Sequence, residues 1–457
     1  AVRGWLDSHT HPLLAARLMS FQADVLEDKT WDEAIRQAGA GSKSLPVEYR
    51  QKKRRQKLAE EIRDAALKNV AEAVASGVTR TGALDLQTIH KDRVEILAPA
   101  RVDFGGGWTD TPPQCLEHGG VILSAAIKLS GRYPVGAFAE KIPEKVIRIE
   151  SEGGRGHDIL TRSSDLPVFQ SLQDPFALVK AALAAVGFCK ENAPDDMSLE
   201  ERLEDWRHGL RIVTRSHVPK GSGLGTSSIL GASVVACLRR LFGSEMDTET
   251  IFRQVLYLEQ LLTSGGGWQD QLGALVPGIK LATVPAAKDF VLRPRTEPLE
   301  LSPAVMRELN NRMVLFYIGK RRVAFNMLRE IVTGYLSGNP DVNNALKAIH
   351  DLAFEMRQSL IAQDFDRFGA QMTRTRMLYR LMCPATTSDI IESVFAAAAP
   401  YASGGKCVGA GGGGFTIVMA RSEKDAHKVR RRLKEFSWRG LGEFYSFSFD
   451  THGLHEK

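Results

Sequence analysis

The sequence predicts an α+β protein of two domains preceded by a helical extension. Three observations carry that expectation. The first ninety residues place apolar positions at helical spacing, the texture changes at Arg93 to alternating β-branched and small residues, and strand-like runs and helices then follow one another to the end. At 457 residues the chain is long enough for two or three domains, because single cores stop growing near about 250 to 300 residues. With 43% hydrophobic and 25% charged residues it has an ordinary globular composition. Its formal charge of +6 fits an anionic ligand and comes without the dense basic array and interleaved aromatics of a nucleic-acid binder. The five cysteines are scattered and never spaced as CxxC, which argues against a disulfide scaffold or a structural zinc and for a reducing compartment. No run of 18 apolar residues and no signal peptide is visible, so the expectation is a cytoplasmic protein with no membrane partner. A chain that starts with Ala1 is compatible with a piece of something longer.

The elements follow in order. Helices are expected from Pro12 to about Leu26 and from Pro46 to about Ser76, where Leu58, Ile62, Ala66, Val70 and Val74 share a face and Gly77 stops the run. This extension, residues 1–90, is expected to sit on the outside or join another module. Inside it Asp7, His9 and His11 form an HxH pattern, but no strand precedes it and no later histidine sits in a metal-site setting, so it predicts no metal. The run Lys52, Lys53, Arg54, Arg55 reads as a solvated helix face. RVEILAPARVDFGGG predicts a hairpin or two short strands, and GGVILSAAIKL and YPVGAFAE continue the pattern. Between these lies GGGWTDTPP, Gly105 to Pro113, a rigid irregular loop. Helices are expected over 175–187, 226–242 and 248–263, the last breaking into GGGWQDQLGA. Beyond Pro303 come the strand MVLFYIG, helices near 323–336, 341–362, 364–380 and 387–397, and the run GAGGGG, Gly409 to Gly414, before the strand FTIVMA. That run satisfies GxGxxG but leads into a strand instead of a helix, which excludes a dinucleotide fingerprint. No GxxxxGK[ST] is present.

The chemistry centres on VPKGSGLGTSSILG, Val218 to Gly231. Gly221, Gly223 and Gly225 alternate with small residues and lead through Thr226, Ser227 and Ser228 into a helix. Glycines that accept positive φ, followed by the free N–H groups of a helix start, make a seat for a phosphate. Three carboxylates accompany it: Asp110, Glu259 and Asp270. Phosphoryl transfer to a hydroxyl uses such a set, with backbone donors on the polyphosphate, a carboxylate and a hydroxyl on Mg²⁺, and a second carboxylate for the hydroxyl's proton. Arg101 or Lys220 could offset the developing charge. Structural roles are open for each acid: Asp110 as a turn cap, Glu259 as an exposed helix residue, Asp270 as an N-cap.

PARVDFGGGWTD (Pro99 to Asp110), PKGSGLGTSS (Pro219 to Ser228) and GAGGGG, in that order and spacing, resemble the three motifs of the GHMP family of small-molecule kinases over about residues 90 to 450. Within it, GGWTDTPP with EHGGVILSAAI, GGGWQDQLGALVPGIK and YIGKRRVAFNML resemble the L-fucose kinase branch, and the heptose-phosphate kinase branch is the nearest rival. Trp108 and Trp268 favour fucose, since an aromatic face suits the apolar side of a 6-deoxy sugar.

The resemblance implies the GHMP kinase fold, with an ATP-binding domain at 91–285, a ferredoxin-like domain at 286–457 and the active site in the cleft between them. It implies ATP and Mg²⁺, with Gly221, Ser222, Gly223, Gly225, Thr226 and Ser227 around the phosphates, and with Thr226 or Ser227 and Glu259 on the metal. Asp270 would take or orient the proton of the sugar's anomeric hydroxyl beside Arg101. Asp110, Trp108, Gly107, Trp268, Gly411 and Gly412 would line the sugar site. The expected partners are a small-molecule sugar and a fused or associated nucleotidyltransferase domain. Galactokinases carry an acidic residue and a histidine where this chain has Gly107 and Trp108, which puts galactose in doubt, and they carry Asn where it has Asp103. Lys320, Arg321 and Arg322 either meet a phosphate or solvate a helix start. The alternative of another class is a non-catalytic GHMP-like binding module, against which Asp270, Glu259 and the motif-two hydroxyls are all present.

Overall fold

The computed structural model describes residues 12–27, 52–77, 83–154, 156–166, 174–189, 197–219, 221–262, 266–287, 289–319, 324–438, 440 and 442–457. Asp7, His9, His11, Lys220, Lys320, Arg321 and Arg322 lie outside the described residues, and nothing is described of the side chains of residues 52–55.

Two helices, α1 (Pro12–Glu27) and α2 (Lys52–Gly77), pack against each other. Arg63 joins them through Asp24 and Glu27, each at 2.8 Å. Their apolar faces do not close on themselves: Leu13, Ala16, Met19, Ala66, Val70 and Val74 are buried in the same core as the main body. The helical extension is therefore an integral wall of the body and not an outlying arm, because two helices alone leave an apolar stripe without cover.

Strands β1 (Arg93–Ala98) and β2 (Ala100–Gly105) flank Pro99 and do not form a hairpin. Proline has no N–H for a ladder, and here it marks the point where the chain leaves one sheet for another. The chain continues through α3 (Gln114–His118), β3 (Gly120–Leu129), β4 (Val135–Ile142), β5 (Ile147–Ser151), β6 (His157–Leu160), α4 (Ala177–Val186), α5 (Leu199–Trp206) and β7 (Gly209–Ser216). A six-stranded sheet has the order β15-β1-β4-β7-β5-β6, β15 (His455–Glu456) being the last strand of the chain, and only β5 and β7 pair in parallel. The pattern missed β7 because Arg211 and Arg215 interrupt it. Across the strands they meet Glu140 and Glu150, and Glu95 and Glu152, so the charges are paired on the sheet's outer face.

Helices α6 (Thr226–Leu241), α7 (Thr248–Leu261) and α8 (Gln269–Leu275) follow, then β8 (Ile279–Val284), β9 (Arg295–Pro298) and α9 (Pro303–Arg312). Strands β2, β3, β8, β9 and β14 (Phe447–Phe449) form a five-stranded sheet. Its inner face shares a core with α11 (Pro340–Ile361) and α12 (Phe365–Met382), where Phe104 meets Phe368 edge-on at 5.4 Å. After α9 come β10 (Met313–Tyr317), α10 (Ala324–Leu336), α11, α12, α13 (Asp389–Ala398), β11 (Ala402–Cys407), β12 (Phe415–Ala420), α14 (Glu423–Trp438) and β13 (Glu443–Tyr445). The third sheet, β11-β12-β10-β13, is antiparallel throughout. That order threads a third strand between two joined by helices, the split arrangement of ferredoxin-like domains. The last residues then return to the first half, β14 to β3 and β15 to β1.

Candidate active site

The glycine loop before α6 takes the backbone that its sequence requires. Gly221, Gly223 and Gly225 have φ of 71°, 90° and 74°, and Gly225 is the N-cap of α6 without any side-chain cap. The first turn of α6 thus keeps open donors that an anion can fill. Ser222 Oγ and Thr226 Oγ1 are buried in this loop and make no hydrogen bond among the described residues. Buried hydroxyls without partners are costly, and a phosphate or a hydrated cation would supply those partners. Ser227 is exposed.

Beside the loop stands Asp270, in the first turn of α8, with Trp268 and not Asp270 as the N-cap. Its side chain is 27% exposed. Arg101 of β2, fully buried, donates from Nε and Nη2 to the same oxygen, Asp270 Oδ1, at 2.8 and 2.5 Å. Its Nη1 donates to Gly223 O at 2.7 Å and to Asp103 Oδ1 at 3.2 Å. Burial works against the guanidinium, but Asp270 and Asp103 outweigh it and hold its pKa above the ordinary value. A Cβ on Gly225 would lie 3.1 Å from Asp270 Cγ and 3.2 Å from Arg101 Cγ, so the glycine is what lets the loop come this near to the ion pair.

Asp103 ties the third glycine run to the first two segments. Its Oδ1 accepts from Gly409 N at 2.5 Å, and its Oδ2 accepts from Lys406 Nζ at 2.5 Å. Both side chains of that pair are completely buried. Burial alone would raise the Asp103 pKa, yet Lys406 and Arg101 pull it below the ordinary value. Further along, Phe415 N donates to Ser222 O at 2.8 Å, and a Cβ on Gly414 would collide with that same carbonyl. Gly412 N donates to Thr386 O at 2.6 Å. The three glycine-bearing segments, separated by more than a hundred residues each, therefore meet around Arg101 and Asp103.

Asp110 lies across from Asp270. Its carboxyl is buried and accepts from Gln269 N at 3.3 Å and Gln269 Nε2 at 3.1 Å, and a side chain on Gly267 would collide with it. Burial first, and then the negative charge of Asp270, push its pKa up to about 7. The two tryptophans expected beside a sugar are both buried. Trp268 packs in the first core with Cys115 and Leu272. Trp108 takes φ of 75°, a strained conformation for a non-glycine residue, and sets its indole among Met327, Ile331 and Met382, edge-on to Tyr379 at 6.5 Å. A Cβ on Gly107 would collide with Tyr379 Oη, so Tyr379 fills the space beside the loop that a side chain at 107 would need. Gly411 and Gly412 take φ of 88° and 74° over Thr386 and Ala385.

Glu259 is buried and accepts from Ser228 Oγ at 2.6 Å. The third hydroxyl of the TSS run, and neither of the first two, is thus the one against the carboxylate. The sequence placed Ser228 in the hydroxyl cluster without a role of its own, and it gave no role to Lys406, Gln269 or Tyr379. Lys406 had a signal: it is the single charge in ASGGKCVGAGGGG, a segment otherwise without charge and rich in glycine. Among the described residues no cluster of three or more His, Cys, Asp or Glu side chains could hold a metal ion, and no helix is long and apolar enough to cross a membrane.

Residues 181–278 match the family of GHMP kinases N terminal domains, and residues 356–437 match GHMP kinases C terminal. The chain thus carries the N-terminal and C-terminal domains of GHMP kinases. Among its relatives, the bifunctional fucokinase/GDP-fucose pyrophosphorylase of Arabidopsis thaliana is 38% identical over 76% of this chain and 32% of its own length. The L-fucokinase/L-fucose-1-P guanylyltransferase of Bacteroides fragilis is 31% identical over 85% of this chain and 41% of its own length. The chain thus spans 32% and 41% of the lengths of these two fucokinase relatives. The D-glycero-alpha-D-manno-heptose 7-phosphate kinase of Campylobacter jejuni is 25% identical over 78% of this chain and 96% of its own length. A solved D-glycero-D-manno-heptose 1-phosphate kinase from Bacteriodes thetaiotaomicron shares the fold, with a TM-score of 0.57, 21% identity, and 80% of this chain and 98% of that one covered.

Proposed function

We propose that this protein is an ATP-dependent sugar kinase that transfers the γ-phosphoryl group of ATP to the anomeric hydroxyl of L-fucose, giving L-fucose 1-phosphate and ADP. The observation that carries the reading is Asp270, partly exposed and held by Arg101 through one oxygen, beside a glycine loop and an uncapped helix start. In this reading the backbone N–H groups at 221–227 hold the ATP phosphates, in the cleft between the segments 91–285 and 286–457. The buried hydroxyls of Ser222 and Thr226 lack partners among the described residues, as a site for phosphate or a hydrated cation requires. Mg²⁺ would be held by Glu259 with Ser228 or Thr226, with Ser227 as the more exposed candidate, and it would supply charge neutralisation on the phosphates. With Asp270 Oδ1 fixed by Arg101, Oδ2 accepts or orients the proton of the anomeric hydroxyl as that oxygen bonds to the γ-phosphorus and ADP leaves. Arg101 offsets the charge on Asp270 and on the moving group. Asp110, with Gln269 behind it, is the sugar-binding carboxylate. Trp108, Gly107, Trp268, Gly411 and Gly412 shape its surroundings.

The fucose assignment rests on the two fucokinase relatives at 38% and 31% identity. The second reading is a heptose 7-phosphate kinase, favoured by the relative that this chain covers almost from end to end. A fused or associated nucleotidyltransferase and a cytoplasmic location belong to the same proposal. Asp270→Asn should cut sugar-dependent ADP release by about 10² or more while a nonhydrolysable ATP analogue still binds. Near-normal turnover in that variant would remove Asp270 from its role.

A further inference from the structure

Asp103 and Lys406 form a completely buried ion pair between residues 303 positions apart, yet neither has a place in the chemistry set out above. The pair sits at a junction. Asp103 Oδ1 receives both Arg101 Nη1 and Gly409 N, while Oδ2 and the backbone oxygen of Asp103 receive Lys406 Nζ at 2.5 and 3.1 Å. One carboxylate thus fixes the plane of the guanidinium that holds Asp270 and also the start of the glycine run that docks on Ser222. Lys406 lies at the end of β11, with its ammonium 5.4 Å from the centre of the Tyr379 ring, and the ring's hydroxyl stands against Gly107. The charges that face the pair are Arg101 directly and Asp270 through Arg101. A buried ion pair is weak evidence for stability, since apolar replacements of the same volume often cost nothing. What it can provide is register, because a buried carboxylate left without its cations is expensive in any other arrangement.

We propose that Asp103 and Lys406 are a positioning pair that locks the Gly409–Gly414 run onto Arg101, and so sets the orientation of Asp270 toward the acceptor. The inference rests on the kinase reading for its consequence on turnover, and on geometry alone for its consequence on the loop.

The test compares wild type, Lys406→Met, Asp103→Asn and the double variant Asp103→Asn/Lys406→Met. The double variant removes the lone buried charge that each single variant leaves, so it should recover thermal stability towards wild type. Its kcat should nevertheless stay down by about 10²-fold, with the KM for ATP and for sugar within about twofold, since a small misplacement of reacting groups can cost that much. Hydrogen exchange of a peptide spanning 403–415 should be faster in the double variant by about tenfold or more, because the acceptor of Gly409 N has lost its charge and the Lys406 anchor has gone. A double variant with both wild-type kcat and wild-type exchange overturns the proposal and leaves the pair structural. So does a loss confined to KM. Turnover absent from wild type with faster exchange in the double variant would sink the kinase reading but keep the lock. Normal wild-type turnover with unchanged exchange would do the reverse.

Discussion

Asp103, in β2, and Asp110, in the loop that follows, are seven residues apart and both buried, yet their surroundings push them in opposite directions. Asp103 touches Lys406 Nζ, Arg101 Nη1 and Gly409 N, and its pKa is held below the ordinary value. Among the described residues Asp110 accepts from the neutral donors of Gln269; burial and the charge of Asp270 outweigh the opposing pull of Arg101, and its pKa rises to about 7. One carboxylate is a permanent anion that holds parts together. The other is the acid proposed to meet a substrate hydroxyl. Burial is common to both, so the difference is made by which cations the fold delivers, and the strand β11 brings Lys406 to one acid only.

The largest effect that would break this comparison is on stability. Asp103→Asn alone should cost about 3–5 kcal/mol, because it leaves the Lys406 ammonium buried without its partner, whereas Asp110→Asn should cost far less. Urea unfolding of the two variants at neutral pH checks this, and equal losses would mean that the two acids are equivalent. The next effect is the dependence on pH. Asp110 binds its proton more tightly when folded than the ordinary pKa near 4 of an unfolded aspartate. Its contribution is therefore fully present below pH 4 and is lost as pH rises through about 7. Asp103 has the reverse sign, with stability present above the ordinary aspartate range and lost as pH falls below it. Asp110→Asn should flatten the stability profile between about pH 4 and 7, and Asp103→Asn should leave that window's slope in place. The same titration predicts that the sugar KM falls as pH rises through about 7, and that Asp110→Asn raises the KM and abolishes the trend. A KM independent of pH in wild type would take Asp110 out of the sugar site.

The smallest effect concerns the extension. Arg17 of α1 pairs with Glu117 of α3 at 2.5 Å, and Glu117 also accepts from Tyr335 Oη of α10. The pair is partly exposed, so Arg17→Ala should lower stability by about 1 kcal/mol or less and leave kcat within about twofold. A large loss of turnover would mean that the extension acts on the active site and does more than complete the core.

The strands and helices that carry the site were legible because their signals are local. Glycines at 221, 223 and 225 need positive φ, the hydroxyls after them start a helix, and the long helices from Ala324 to Ala398 keep an apolar stripe. What escaped was set by contacts far away in sequence. Among its described residues helix α14 buries Ala426, Val429 and Leu433 in a run dominated by charges, and the strand pattern of β7 is interrupted by arginines whose glutamate partners lie elsewhere in the chain. Among the residues proposed for the site, Arg101, Asp270, Asp110 and the glycines stand out by motif. The pairing of Lys406 with Asp103, of Ser228 with Glu259 and of Tyr379 with Gly107 could not, since each joins segments whose meeting only the topology decides. The tryptophans are the converse case: they were singled out for sugar, and both are held in cores.

The most direct measurement is ADP release with Mg²⁺ and ATP against L-fucose, D-arabinose, D-galactose and D-glycero-D-manno-heptose 7-phosphate, with the product identified by phosphorus resonance. The highest kcat/KM is expected for L-fucose, with the phosphate on its anomeric carbon and no turnover of galactose. Preference for the heptose phosphate would contradict the substrate, and ADP release that no sugar stimulates would contradict the kinase itself.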